Sequence, residues 1–135
     1  MNNITSDLRG FDFLWSSCSL EHLGSLQHGL TFIENSLNCL RPGGIAVHTT
    51  EFNLGSNEET LETDTTSVYR KKDIENLALR LLDMGHSLGS INFTPGSELP
   101  DLYIDLPPYQ SSVHLRLLIK RHLCTSIGIF VKKKV

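Results

Sequence analysis

The sequence predicts an α/β fold built around a parallel βαβ unit, and three observations carry that prediction. Phe11-Asp12-Phe13-Leu14-Trp15 is a short apolar run of the kind buried in a parallel sheet. Leu26, Leu30, Ile33, Leu37 and Leu40 then recur at helical spacing, and Arg41-Pro42-Gly43-Gly44 stops the helix. Ile45-Ala46-Val47 begins a second buried strand, which ends in the polar string His48-Thr49-Thr50-Glu51. Strand, helix and strand in that order should place the helix across one face of the sheet. Ligands of such sheets bind at the carboxyl ends of the strands. Here those ends are Ser16-Ser17-Cys18-Ser19 and His48-Thr49-Thr50-Glu51, polar where the preceding strands are apolar. That is the pattern of a site.

A chain of 135 residues fits one domain, spanning 1–135, with a core of its own. A hydrophobic fraction of 39% and a charged fraction of 20% are ordinary for a soluble protein. The net charge of −3 supplies no electrostatic reason for nucleic acid or an anionic membrane as partner. Lys132-Lys133-Lys134 reads as a solvated tail. The first residues show neither the basic nor the apolar region of a signal peptide, and no apolar run is long enough to span a bilayer. Cys18, Cys39 and Cys124 are odd in number and widely spaced, so neither a disulfide framework nor a zinc site is expected. The expected setting is the cytoplasm.

Met1 to Gly10 is polar and reads as a loop. After the first strand, Leu23-Gly24-Ser25 is a turn with Ser25 as helix N-cap, and the helix runs to about Leu40. From Asn53 to Thr66 the chain is rich in Gly, Ser, Thr and Glu, which predicts a surface loop beside the polar end of the second strand. A second helix follows from about Lys71 to Met84, with Ile74, Leu77, Ala78, Leu81 and Leu82 as its stripe and Gly85 as its stop. Ser87 to Phe93 reads as a third strand, and Pro95 to Pro108 as a segment that cannot be a central strand. Val113 to Leu123 fits either period, and helix is the expectation taken here. Ser126 to Val131 is β-branched and aromatic, hence a final strand. Trp15, inside an apolar run, is expected in the core.

Four of these stretches, in this order, resemble the class I S-adenosylmethionine-dependent methyltransferase family. They are Phe11-Asp12-Phe13, Ser19-Leu20-Glu21-His22-Leu23, Cys39-Leu40-Arg41-Pro42-Gly43-Gly44 and Ile45-Ala46-Val47-His48-Thr49-Thr50. They look like that family's fourth strand, the Glu-His after it, the Pro-Gly-Gly turn and the fifth strand. The resemblance covers nearly all of this chain and about half of the family's fold, its C-terminal half. It implies a partial Rossmann-like sheet of order 4-5-7-6 with the last strand antiparallel. S-adenosylmethionine is the cofactor it implies for the complete fold, and the function is methyl transfer to a small-molecule acceptor. The family's Gly-rich donor loop has no counterpart, since no G-x-G-x-G pattern occurs in the sequence. A truncated or fragment form is therefore expected, and the alternative is a non-catalytic remnant that does not bind the donor.

On this resemblance Ser17, Cys18 and Ser19 would flank the donor. Glu21 and His22 are the catalytic candidates, because methyl transfer needs an aligned acceptor and often a base, and imidazole titrates in the right range. The same pair also fits a surface turn. His48 joins them as a catalytic candidate, and Thr49, Thr50, Glu51 and Asn53 stand where an acceptor would arrive. No metal is expected, since a complete ligand set is not visible. Asp105-Leu106-Pro107-Pro108-Tyr109 looks like the Asp-Pro-Pro-Tyr motif of base-modifying methyltransferases. It carries an extra Leu and lies too far along the chain, so it reads as a rigid covering loop. The Phe11–Ser16 strand should have a free edge, which predicts a homodimer that covers it.

Overall fold

The apolar run at Phe11 forms β1 (Phe11–Ser17), which pairs in parallel with β2 (Leu40–Asn53). Between them lies α1 (Leu26–Ser36), continued by a 3-10 turn at Leu37–Cys39. Ser25 caps α1, its hydroxyl accepting the His28 N–H at 3.1 Å. Ser25→Ala is expected to cost about 1 kcal/mol. A urea midpoint that does not move would count against the cap.

This computed structural model describes residues 2–135 and contains one six-stranded sheet of order β1-β2-β6-β5-β4, with β3 also pairing to β6. The remaining elements are α2 (Lys71–Asp83), β3 (Ser87–Leu88), α3 (Leu99–Leu102), β4 (Ile104–Asp105), β5 (Arg116–Ile119) and β6 (His122–Lys132). Every strand runs the same way except β6, which is antiparallel to β2, β3 and β5. The expected place of an antiparallel last strand beside the second strand is thus observed. Within the N-terminal stretch, Asn2 to Gly10 is loop as expected, and residue 1 lies outside those described.

One face of the sheet carries the core. Ala46, His48, Thr50 and Phe52 are buried on β2, alternating with half-buried Ile45, Val47, Thr49 and Glu51. Leu30, Ile33 and Leu37 of the first helical segment and Ile74, Leu77 and Leu81 of α2 pack with Ala46, Ile129 and Val131. Arg80 of α2 joins Glu34 of α1 through a 2.7 Å ion pair. At the start of α2 the Asp73 carboxylate accepts the Arg70 backbone N–H at 2.9 Å, closing a free donor.

Four expectations need correction. Val113 to Leu123 contains no helix: Arg116–Ile119 is strand, and it turns at Lys120 (φ +55°) into β6. Alternation of Leu115, Leu117 and Ile119, combined with a partner strand next in sequence, prevails over the weak helical match. The third strand is only Ser87–Leu88, because Ile91 and Phe93 leave the sheet to pack on the core. Arg41-Pro42-Gly43-Gly44 does not precede β2 but lies within it, over an irregularity in the β1 register. Gly43 there has φ +75°. Finally, Trp15 is 69% exposed rather than core. With Phe11 and Phe13 it projects from the sheet face opposite α1 and α2, and β1 occupies an edge.

Candidate functional site

β1 ends at Ser17, and Cys18 follows with φ +44°, a left-handed conformation that side chains other than glycine rarely adopt. Its N–H donates to the Thr49 carbonyl at 3.1 Å, which holds this strained turn to β2. A 3-10 turn, Leu20–His22, then crosses the strand ends. It is fixed from below by the Tyr69 hydroxyl, which donates to the Leu20 carbonyl at 3.2 Å. Ser67 N–H donates to the Glu21 carbonyl at 2.8 Å from the side.

Those constraints bring Cys18, Glu21, His22 and Glu51 into one cavity of about 540 Å³ at the carboxyl ends of β1 and β2. Glu21 is only 2% exposed, and its carboxylate accepts from Thr50 Oγ1 at 3.0 Å. Burial, and then the charge of Glu21, push the Glu51 carboxyl above the usual carboxylate range, against the opposing influence of His114 and His22. Glu51 Oε2 is buried with no hydrogen-bond partner among the described residues. The His22 Nδ1 lies 2.7 Å from the Thr65 carbonyl, so Nδ1 is the donor and Nε2 is left free. The surface loop expected after β2 therefore also serves as a wall, ordered by Asn53, whose Oδ1 accepts from Gly55 and Ser56 N–H.

One ligand atom each from Cys18, Glu21 and Glu51 lie within 4.8 Å of one another. These are the atoms a divalent cation would meet, three ligands where a closed structural site has four. The arrangement suits a positively charged organic group equally well.

The other sequence candidates separate by strand parity. Ser17 and Thr49 sit side by side on the same sheet face as Glu51, with Thr49 Oγ1 donating to Ser17 Oγ at 3.3 Å, and neither lines the cavity. Ser19 opens the 3-10 turn. His48, Thr50 and Asn53 are buried, and none of them lines the cavity. His48 faces the helices: its Nδ1 pairs with Ser16 Oγ at 2.7 Å and its ring meets Phe32 edge-on. His48, named as a catalytic candidate, therefore does not reach this cavity.

The far wall of the cavity was not expected. Tyr109 and His114 close the far wall together with Leu115, Leu117 and Ile119, and Asp105 stands behind His114. Asp105 Oδ2 accepts from His114 Nδ1 at 2.6 Å, with the Asp105 side chain 3% exposed and that of His114 52%. The reading of Asp105 to Tyr109 as a mere covering loop was too narrow. No local pattern joins Asp105 to His114, and only the Pro107-Pro108 turn between them hints that the chain folds back.

No family model matches the sequence, and no curated protein matches it. Among solved structures, a SAM-dependent methyltransferase from Methanosarcina mazei superposes over 93% of this chain with a TM-score of 0.54 and 13% identity. The fold is shared with part of that methyltransferase. The S-adenosylmethionine-dependent methyltransferase SibL, in its apo form, gives 0.53 at 14% identity over 94% of the chain. An S-adenosylmethionine-dependent methyltransferase from Clostridium acetobutylicum gives 0.52 at 13% identity over 99%. The chain spans only 60%, 32% and 62% of those three proteins respectively. No helix among the described residues is long and apolar enough to cross a membrane.

Proposed function

We propose that this chain is the C-terminal, acceptor-facing half of an S-adenosylmethionine-dependent methyltransferase acting on a small molecule. The observation that carries the reading is the meeting of Glu21 and His22, from the turn after β1, with Glu51 of β2 in one cavity at the carboxyl ends of parallel strands. The donor supplies a methyl group on a cationic sulfonium, and a wall holding two carboxylates suits that charge. Ser17, Cys18 and Ser19 would border the donor, while Thr49 and Glu51 face the acceptor side. Alignment of the two reactants is the main contribution asked of these residues, since a direct displacement needs no covalent enzyme intermediate.

The second reading, a non-catalytic remnant, has its own support in the absence of any G-x-G-x-G pattern from the sequence. Calorimetric titration with S-adenosylhomocysteine, run beside light scattering, separates the two. The methyltransferase reading expects one ligand per chain, bound by a dimer in which a second copy covers the β1 edge. A monomer that gives no heat at millimolar ligand favours the remnant.

A further inference from the structure

Asp105 and His114 form a pair that the proposal above leaves unused. A carboxylate can only accept, so the 2.6 Å contact between Asp105 Oδ2 and His114 Nδ1 puts a ring proton on Nδ1, and in the neutral ring the lone pair is then on Nε2. The Asp105 side chain is buried and cannot swing away, whereas the imidazole is half exposed and lines the cavity. Tyr109 fixes the ring plane from the side, with centroids 5.8 Å apart and planes at 85°. Tyr109 is itself anchored, its hydroxyl donating to the Leu118 carbonyl at 2.8 Å. An oriented base thus stands on one wall of a cavity whose other wall carries Glu21 and Glu51.

On the methyl-transfer reading, we infer that His114, positioned by Asp105 and Tyr109, takes the proton from a protonated amine acceptor seated against Glu21 and Glu51. A hydroxyl acceptor would place a third negative charge beside two carboxylates as it lost its proton, and the low-dielectric wall makes that costly. An ammonium group instead brings a charge opposite to that of the two carboxylates. Its proton passes to His114 Nε2, and the freed nitrogen lone pair forms the new N–C bond. The C–S bond breaks with its electron pair staying on sulfur, giving a neutral thioether and a methylated ammonium. The imidazolium then returns its proton to solvent across its exposed edge. Leu115, Leu117 and Ile119 leave an apolar flank for the carbon part of the acceptor.

The test uses imidazole nitrogen resonances and two matched probes, 2-phenylethylammonium chloride and 2-phenylethanol. Expected are an Nδ1-protonated tautomer for His114, shifts of His114 and Glu51 signals with the amine, and binding about tenfold weaker for the alcohol. Glu51→Gln should erase that preference. Asp105→Asn, whose amide can donate as well as accept, should scramble the tautomer. His114→Gln, outside the core, should keep the fold and the amine preference while losing the base. An Nε2-protonated His114, or equal response to both probes, overturns the assignment. None of these readouts needs the donor, so a failure of donor binding and a failure of this assignment are separate results.

Discussion

Gly29→Ala is expected to destabilise the protein by about 2–3 kcal/mol, although alanine in a helix interior is normally favoured over glycine by ~1 kcal/mol. The reason is local. A Cβ at Gly29 would run into the Tyr69 hydroxyl oxygen and stand 3.0 Å from the Leu20 carbonyl. Tyr69 is 1% exposed, with its hydroxyl held by that same carbonyl, so it has no free path of retreat. Tyr69→Phe alone should cost about 1 kcal/mol for the lost hydrogen bond. Combined with Gly29→Ala it removes the closest clash, so the double variant should be more stable than Gly29→Ala alone. Urea midpoints of the four proteins read this as a cycle. Additive losses would show that the clash lies elsewhere. The effect reaches the site because Leu20 adjoins Glu21, and pushing the turn moves a cavity wall.

How far the sequence could be read follows from what each signal depends on. The βαβ unit was legible because apolar runs and the period of Leu26, Leu30 and Ile33 are local properties, and local properties chose the elements. The cap at Ser25 and the stop at Gly85 (φ +87°) were legible for the same reason. Parity was not. His48-Thr49-Thr50-Glu51 announces a polar strand end, but only the position of the helices decides that His48 and Thr50 turn inward while Thr49 and Glu51 turn toward the cavity face. Trp15 failed likewise, since its burial depends on whether anything covers its side of the sheet. The far wall, Asp105 to His114, was hidden most deeply. It reaches Glu51 only through the pairing of β5 with β6 and of β6 with β2.

Acid should unfold the protein through His48, with a loss of about 3 kcal/mol between neutral pH and pH 4. Burial holds the imidazole neutral and lowers its pKa from the ordinary 6.5 to about 4. The geometry agrees: the ring is fully buried, Nδ1 has Ser16 Oγ, and Nε2 has no hydrogen-bond partner among the described residues. A depressed histidine pKa means the unfolded chain binds a proton that the fold refuses. Stability is therefore complete above pH 6.5 and falls as the pH drops toward 4. Each unit of difference is worth 1.36 kcal/mol, and a gap of about 2.5 units gives the figure above. His86, whose pKa is lowered by burial and then by Lys134 and Lys133, adds a loss of the same sign. The control is His48→Asn, whose amide can keep a polar atom near the Ser16 hydroxyl but does not titrate. It should be less stable than the parent at pH 7.5, and its urea midpoint should change much less down to pH 4.5. If both proteins lose stability in parallel, the proton taken up on acid unfolding belongs to another group.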